Sequence, residues 1–158
     1  MFKKIYETSY RPERPILIWD GTCKFCQYWI LRLQKHFYSD LDIIPYQKLD
    51  LERTGISRKA FSEAARLIDR QGKVYSGPEV FYKSLKSHFG DILLSAYQKH
   101  GLFRWFNDYA YHLIAKNRAL FFRITKGLWG KNPRKPKYYW VLYLSLFIIL
   151  IMAALIYQ

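Results

Sequence analysis

Between Ile16 and Leu33 the chain reads ILIWDGTCKFCQYWILRL. The short apolar run Ile16 to Trp19, opened by Pro15 and closed by Asp20-Gly21, predicts a buried strand. Cys26, Trp29, Ile30, Leu33 and Phe37 then recur at i, i+3, i+4, i+7 and i+11, one face of a helix that begins near Cys23. A strand that becomes a helix within a few residues belongs to an α/β domain. Both cysteines of the chain, Cys23 and Cys26, stand at that junction.

The rest of the chain extends this pattern. Leu41 to Tyr46 (LDIIPY) predicts a second strand, and Pro45 places it at an edge or marks its end. A helical piece is expected around Ser57 to Ala65. Arg66 to Asp69 and Lys73 to Tyr75 flank Arg70-Gln71-Gly72, a hairpin signal. Gly77-Pro78 opens another helix through about His88, and Asp91 and Gly101 bracket a short one as cap and stop. From Leu102 to Lys126, Phe106, Tyr109, Leu113, Asn117, Leu120 and Ile124 recur at helical spacing. They predict one long amphipathic helix with its apolar side on the domain, ended by Gly127, Gly130 and Pro133. The order strand, helix, strand, helix, hairpin, helix is that of a thioredoxin-like domain. Its first connection is a right-handed crossover that leaves the two early strands parallel.

A helix start favours a reactive cysteine. Unpaired backbone N–H groups and the positive end of the helix dipole stabilise a thiolate. On this reading Cys23 attacks a disulfide and Cys26, one turn further in, resolves the mixed disulfide. Lys24 between them adds to thiolate stability. A zinc site needs four ligands where this pair supplies two, and His36, His88, His100 and His112 have no metal spacing. A structural disulfide fits poorly with a cytosolic domain. Two core thiols would account for Cys26 but not for Cys23 after a Gly-Thr turn. An apolar strand before Asp-Gly-Thr also suggests a phosphatase of the haloacid-dehalogenase type. Its nucleophilic aspartate would fall at Ile18, which cannot accept a phosphoryl group.

Asp20-Gly21-Thr22-Cys23-Lys24-Phe25-Cys26 after an apolar strand resembles the signature of the DCC family, thiol-disulfide oxidoreductase-like proteins named for a D-x-x-C-x-x-C motif. Ile43-Ile44-Pro45-Tyr46-Gln47 resembles the family's second strand. Gly72-Lys73-Val74-Tyr75-Ser76-Gly77 resembles its hairpin, and Ile114-Ala115-Lys116-Asn117-Arg118 its late helical segment. The resemblance spans about Ile16 to Lys126 and implies a thioredoxin-like fold with dithiol-disulfide chemistry at Cys23 and Cys26. It makes Asp20 the family's acid, with two roles open: moving a proton for Cys26, or capping the helix start. Arg118 reads as a structural or headgroup-facing residue. The proline that shapes the substrate groove of thioredoxins would fall near Ala64 or Ala65 and is missing, and Gly21-Thr22 replaces the Trp-rich loop before the first cysteine. A dedicated partner is therefore expected rather than general disulfide reduction.

The chain carries 26 Lys and Arg against 12 Asp and Glu, a net charge of +14. That excess calls for an anionic partner, nucleic acid or an acidic membrane surface. From Tyr138 to Tyr157 run twenty residues without charge, Gly or Pro, about the length that spans a ~30 Å hydrocarbon core. Tyr138, Tyr139, Trp140 and Tyr157 fall where an aromatic belt would lie. A C-terminal transmembrane helix favours the membrane over nucleic acid. Nothing hydrophobic precedes it at the N-terminus to act as a signal peptide. Lys131, Arg134, Lys135 and Lys137 flank the span on one side, with only Gln158 on the other, so the domain is expected in the cytosol. The expected layout is a thioredoxin-like domain over 1–130 with extra C-terminal helices, a basic linker over 131–137 and the span over 138–157.

The function expected is that of a membrane-anchored thiol-disulfide oxidoreductase with Cys23, Cys26 and Asp20 as its catalytic set. No cofactor or metal is expected, and the partners would be a protein disulfide or dithiol and an anionic lipid surface. The alternative is a non-catalytic accessory subunit of a membrane complex, its domain serving as a docking module.

Overall fold

The computed structural model describes residues 2–135 and 137–156, with side chains as far as residue 149. Its centre is a four-stranded sheet in the order β2-β1-β3-β4, made of β1 (Ile16–Trp19), β2 (Asp42–Pro45), β3 (Arg66–Ile68) and β4 (Val74–Ser76). β1 and β2 are parallel, with Ile16 opposite Asp42 and Trp19 opposite Pro45. β3 runs antiparallel to β1, and β4 antiparallel to β3. Pro45 both ends its strand and lies on an edge, where its missing N–H breaks no ladder.

Strand periodicity sends alternate side chains to opposite faces, and both faces are covered. Ile16, Ile18, Ile68 and Val74 pack on one face with Ile56, Ala60 and Phe61, from α3 (Arg58–Glu63) and the turn before it, which follows the short α2 (Leu51–Thr54). Leu17, Leu67 and Tyr75 pack on the other with Val80 of α4 (Pro78–Ser84) and with Ile30 and Leu33 of α1 (Lys24–Leu33). This mixed α/β layout, with a helix between the two parallel strands, is compatible with a thioredoxin-like fold.

The N-terminal segment runs beside β4: Tyr6 O accepts from Val74 N–H at 2.7 Å, and Gly72 O accepts from Thr8 N–H at 2.9 Å. Beneath it the guanidinium of Arg66 is fully buried, donating to Lys3 O at 2.7 Å, to Ala60 O and to the Ser76 hydroxyl.

The helices after β4 depart from the sequence expectations. The helix opened by Gly77-Pro78 stops at Ser84. A new one, α5 (His88–Lys99), starts after Ser87, whose hydroxyl accepts from Gly90 N–H; Asp91 sits in its first turn. Gly101 is not a stop either, because it opens α6 (Gly101–Lys116), with His100 as the hinge. The long helix from Leu102 to Lys126 is two helices, α6 and α7 (Arg118–Trp129), broken at Asn117. Asn117 competes with the helical ladder: its Nδ2 donates to Leu113 O at 2.9 Å, and its backbone leaves helical geometry at φ −117°, ψ 37°.

The apolar side of α6 is not on the domain: Phe106, Tyr109 and Leu113 are all exposed. Leu120 and Ile124 of α7 are exposed as well. In α6 the inward positions are polar-tipped instead. Asp108 is buried, pairing with Lys4 Nζ at 2.6 Å and accepting from the Tyr97 hydroxyl, while Asn107 Oδ1 accepts from the Tyr82 hydroxyl at 2.6 Å.

The chain divides into two compact units, Met1–Arg118 and Ala119–Gln158. The second holds α8 (Tyr139–Ile156). Among the described residues no helix is long and apolar enough to cross a membrane. The expected span runs beyond the described side chains, and its last residue, Tyr157, lies outside the described residues.

Candidate active site

The site begins where β1 ends. Asp20 folds the chain back on itself: its Oδ1 accepts from Thr22 N–H at 3.1 Å and from the Thr22 hydroxyl at 2.8 Å, and its carbonyl accepts from Cys23 N–H at 3.1 Å. This short side-chain turn delivers Cys23 to the helix start. Cys23 is the N-cap of α1, extended at φ −82°, ψ 104°, and its Sγ accepts from Cys26 N–H at 3.1 Å. Its carbonyl then accepts the helical bond from Gln27 N–H at 2.9 Å.

Cys23 and Cys26 are joined by a disulfide, with Cα atoms 5.2 Å apart. Both are partly buried. The first turn of α1 contains no acidic residue to oppose negative charge on sulfur. Reduced, Cys23 would therefore hold its thiolate among N–H groups that have no helical partner. The expectation that Asp20 caps the helix is corrected, because the sulfur of Cys23 occupies that position.

Asp20 is instead the node of a clamp drawn from distant parts of the chain. Gln47, just beyond β2, donates Nε2–H to Asp20 Oδ1 at 2.9 Å and accepts from Gly21 N–H through Oε1 at 2.9 Å. Arg118 donates from one guanidinium nitrogen to Asp20 Oδ2 at 2.9 Å and from the other to Ser62 O at 2.7 Å. The Asp20 and Arg118 side chains are only 14% and 24% exposed, so this pair is less screened than the open surface pairs Arg14–Asp42 and Arg70–Asp40. Burial pushes the Asp20 carboxyl up, but hydrogen bonds from Thr22 and Gln47 and the charge of Arg118 outweigh it and hold the group below its ordinary value. Asp20 therefore stands as a carboxylate in the folded chain.

Gly21 permits this closeness. A Cβ there would meet Pro45 Cβ at 2.7 Å and Gln47 Oε1 at 2.9 Å. On the helix side, Phe25 meets Trp29 edge-on at 6.3 Å, and Trp29 also meets the buried Tyr28 at 5.9 Å.

Ala64 and Ala65 lead into β3, at the place of the groove proline of thioredoxins. No peptide bond among the described residues is cis. Ala65 N–H donates to the Tyr111 hydroxyl at 3.0 Å, a bond that a proline could not make. Burial pushes the Tyr111 phenol up, so it stays protonated. Neither Tyr111 nor Ser62 carried a sequence signal for this role. Gln47 and Arg118 were visible in the family-like segments, but not as partners of Asp20. Among the described residues no group of three or more His, Cys, Asp or Glu could hold a metal ion.

The family model described as DCC1-like thiol-disulfide oxidoreductase matches residues 17–124, more than half of the chain. Those bounds take in β1, the cysteine pair, Gln47 and Arg118. No curated protein and no solved structure matches the chain.

Proposed function

The chain belongs to the DCC1-like thiol-disulfide oxidoreductase family, and from that premise we propose that it exchanges a disulfide with a protein substrate through Cys23 and Cys26 while anchored to a membrane. The observation that carries this reading is the Cys23–Cys26 disulfide at the head of α1, with Cys23 itself as the N-cap.

In the reducing direction the Cys23 thiolate attacks one sulfur of a substrate disulfide. That S–S bond breaks, and the departing substrate thiolate takes a proton from solvent. Cys26 then loses its proton and attacks the Cys23 sulfur, releasing the second substrate thiol and closing the Cys23–Cys26 disulfide. Two electrons and two protons pass to the substrate, and an external dithiol restores the reduced pair. Run backwards, the same steps oxidise a substrate dithiol. Asp20, Gln47 and Arg118 act as positioning residues that fix the turn from which Cys23 is presented.

Anchoring is assigned to the apolar segment over 138–157, with the redox domain in the cytosol. The basic residues Lys131, Arg134, Lys135 and Lys137 just before it support that orientation. Their attraction to anionic headgroups, about 1 kcal/mol per residue near the surface, supports lipid over nucleic acid as the anionic partner.

Two experiments test the halves separately. Equilibration of the full chain in dithiothreitol buffers of graded potential should convert the pair reversibly between dithiol and intramolecular disulfide. A pair that never re-forms the disulfide contradicts the redox half. Alkaline carbonate should leave the full chain in the membrane pellet, whereas release into the supernatant contradicts the anchor.

A further inference from the structure

Helix α6 carries an apolar stripe that the fold of its own unit does not use. Leu102, Trp105, Phe106, Tyr109 and Leu113 follow one another at i, i+3, i+4, i+7 and i+11, a face about 16 Å long. Leu102 is 81% exposed, Phe106 62% and Trp105 58%, and the rings of Trp105 and Tyr109 stack at 5.7 Å. The inward face is fully engaged by Asn107, Asp108 and Tyr111. Leaving the stripe in water would be costly, at roughly 25 cal/mol per Å2 of apolar surface, and contiguous patches of this kind mark interaction sites.

We propose that this face of α6 lies in the headgroup region of an anionic bilayer, docking the redox domain on the membrane surface. Composition and charge favour a lipid occupant. Trp and Tyr among aliphatic residues suit the polar–apolar boundary, where an amphipathic helix sinks about 5–10 Å. On α6 the exposed cation on the stripe's own side is Lys116, three residues after Leu113, while α5 exposes Lys99 and the single acid Asp91. Basic residues then continue from Lys116 to Lys137 with no acid among them. Phe89 and Ile92, exposed on α5, add apolar surface to the helix packed beside α6. The stripe ends next to Asn117 and Arg118, so the clamp on Asp20 stands at the end of the docked helix. The inference rests on the anchored reading only in that the anchor brings a bilayer within reach.

The test uses the full chain with both cysteines replaced by Ser and one nitroxide label at a time, in vesicles of phosphatidylcholine with or without phosphatidylserine. Labels are placed at Phe106→Cys on the stripe, at Lys59→Cys on exposed α3 as a control, and at Ile148→Cys in α8. In the phosphatidylserine vesicles the Phe106→Cys label should lose accessibility to an aqueous nickel chelate and gain collisions with oxygen, while Lys59→Cys stays aqueous. The protection at Phe106→Cys should weaken in phosphatidylcholine alone. Leu113→Cys supplies a second reporter should Phe106→Cys fail to fold.

An aqueous stripe label beside a lipid-buried Ile148→Cys overturns the docking and leaves the anchor standing. A lipid-buried stripe label beside an aqueous Ile148→Cys sinks the anchor and leaves the docking. A stripe label shielded from both relaxants, or broadened by a label on a second copy, assigns the face to a protein and overturns the proposal.

Discussion

Asp20 is the residue on which the site turns, and its neighbours set its chemistry. Its carboxyl is lower in the folded chain than its ordinary 3.8, so its contribution to stability is complete above that value and is lost as pH falls through the lower folded one. Asp20→Asn should therefore flatten the acid limb of the stability curve below about pH 4, measured by urea unfolding across pH. A slope equal to that of the parent chain would remove Asp20 from the clamp. Arg118→Ala should cost about 1–2 kcal/mol in the same measurement, for a charged hydrogen-bonded pair that is not fully buried. Arg118→Lys should recover only part, since one ammonium cannot hold both Asp20 and Ser62 in the guanidinium's geometry. Gly21→Ala should cost about 1–3 kcal/mol by overpacking against Pro45, and should slow thiol exchange by displacing the turn. The motif residues themselves were legible in the sequence. Their mutual contacts were not, because Asp20, Gln47 and Arg118 meet only once β2 and α6 have packed.

At the level of elements, the sequence read best where local chemistry and periodicity agreed. The strand–turn–helix around the cysteines, the hairpin at Gly72 and the start of the helix at Gly77-Pro78 all formed where they were expected. Gly77 has φ +64°, and a Cβ there would meet the Phe2 ring at 2.5 Å, so no other residue fits well before Pro78. The reading of α6 failed for a definite reason. Apolar spacing identifies a face but not its destination, and here the buried face is built from Asn107, Asp108 and Tyr111, whose polar tips find partners inside. The break at Asn117 was missed because its side chain continues the apolar register while its amide competes with the backbone. Asp108→Ala should cost about 3 kcal/mol, since it removes the carboxylate that the partly buried Lys4 ammonium and the Tyr97 hydroxyl share and leaves them only their bond to each other. Phe106→Ala should cost within about 0.5 kcal/mol in the absence of lipid. Comparable losses in thermal unfolding would reverse the assignment of the two faces.

For the whole molecule, charge and hydrophobicity are unevenly divided along the chain. The sheet, the cysteine pair and the clamp on Asp20 all lie within Met1–Arg118, whereas the apolar C-terminal helix and most of the uninterrupted basic run lie within Ala119–Gln158. This segregation was legible from composition alone, because uncharged runs and acid-free stretches need no tertiary context to be seen. The proposed orientation makes a direct forecast: a membrane-impermeant thiol reagent should label reduced Cys23 in opened cells and leave it unlabelled in intact ones. Labelling of intact cells would place the domain on the opposite side.

If Cys23 is the attacking sulfur and Cys26 the resolving one, a paired trap separates them. Full-length Cys26→Ser and Cys23→Ser chains are incubated with the same disulfide-bearing membrane extract, quenched with acid and resolved without reductant. Cys26→Ser should accumulate mixed disulfides through Cys23 that dithiothreitol releases, and Cys23→Ser should accumulate few or none. Equal trapping by both variants, or trapping by Cys23→Ser alone, would contradict the assignment.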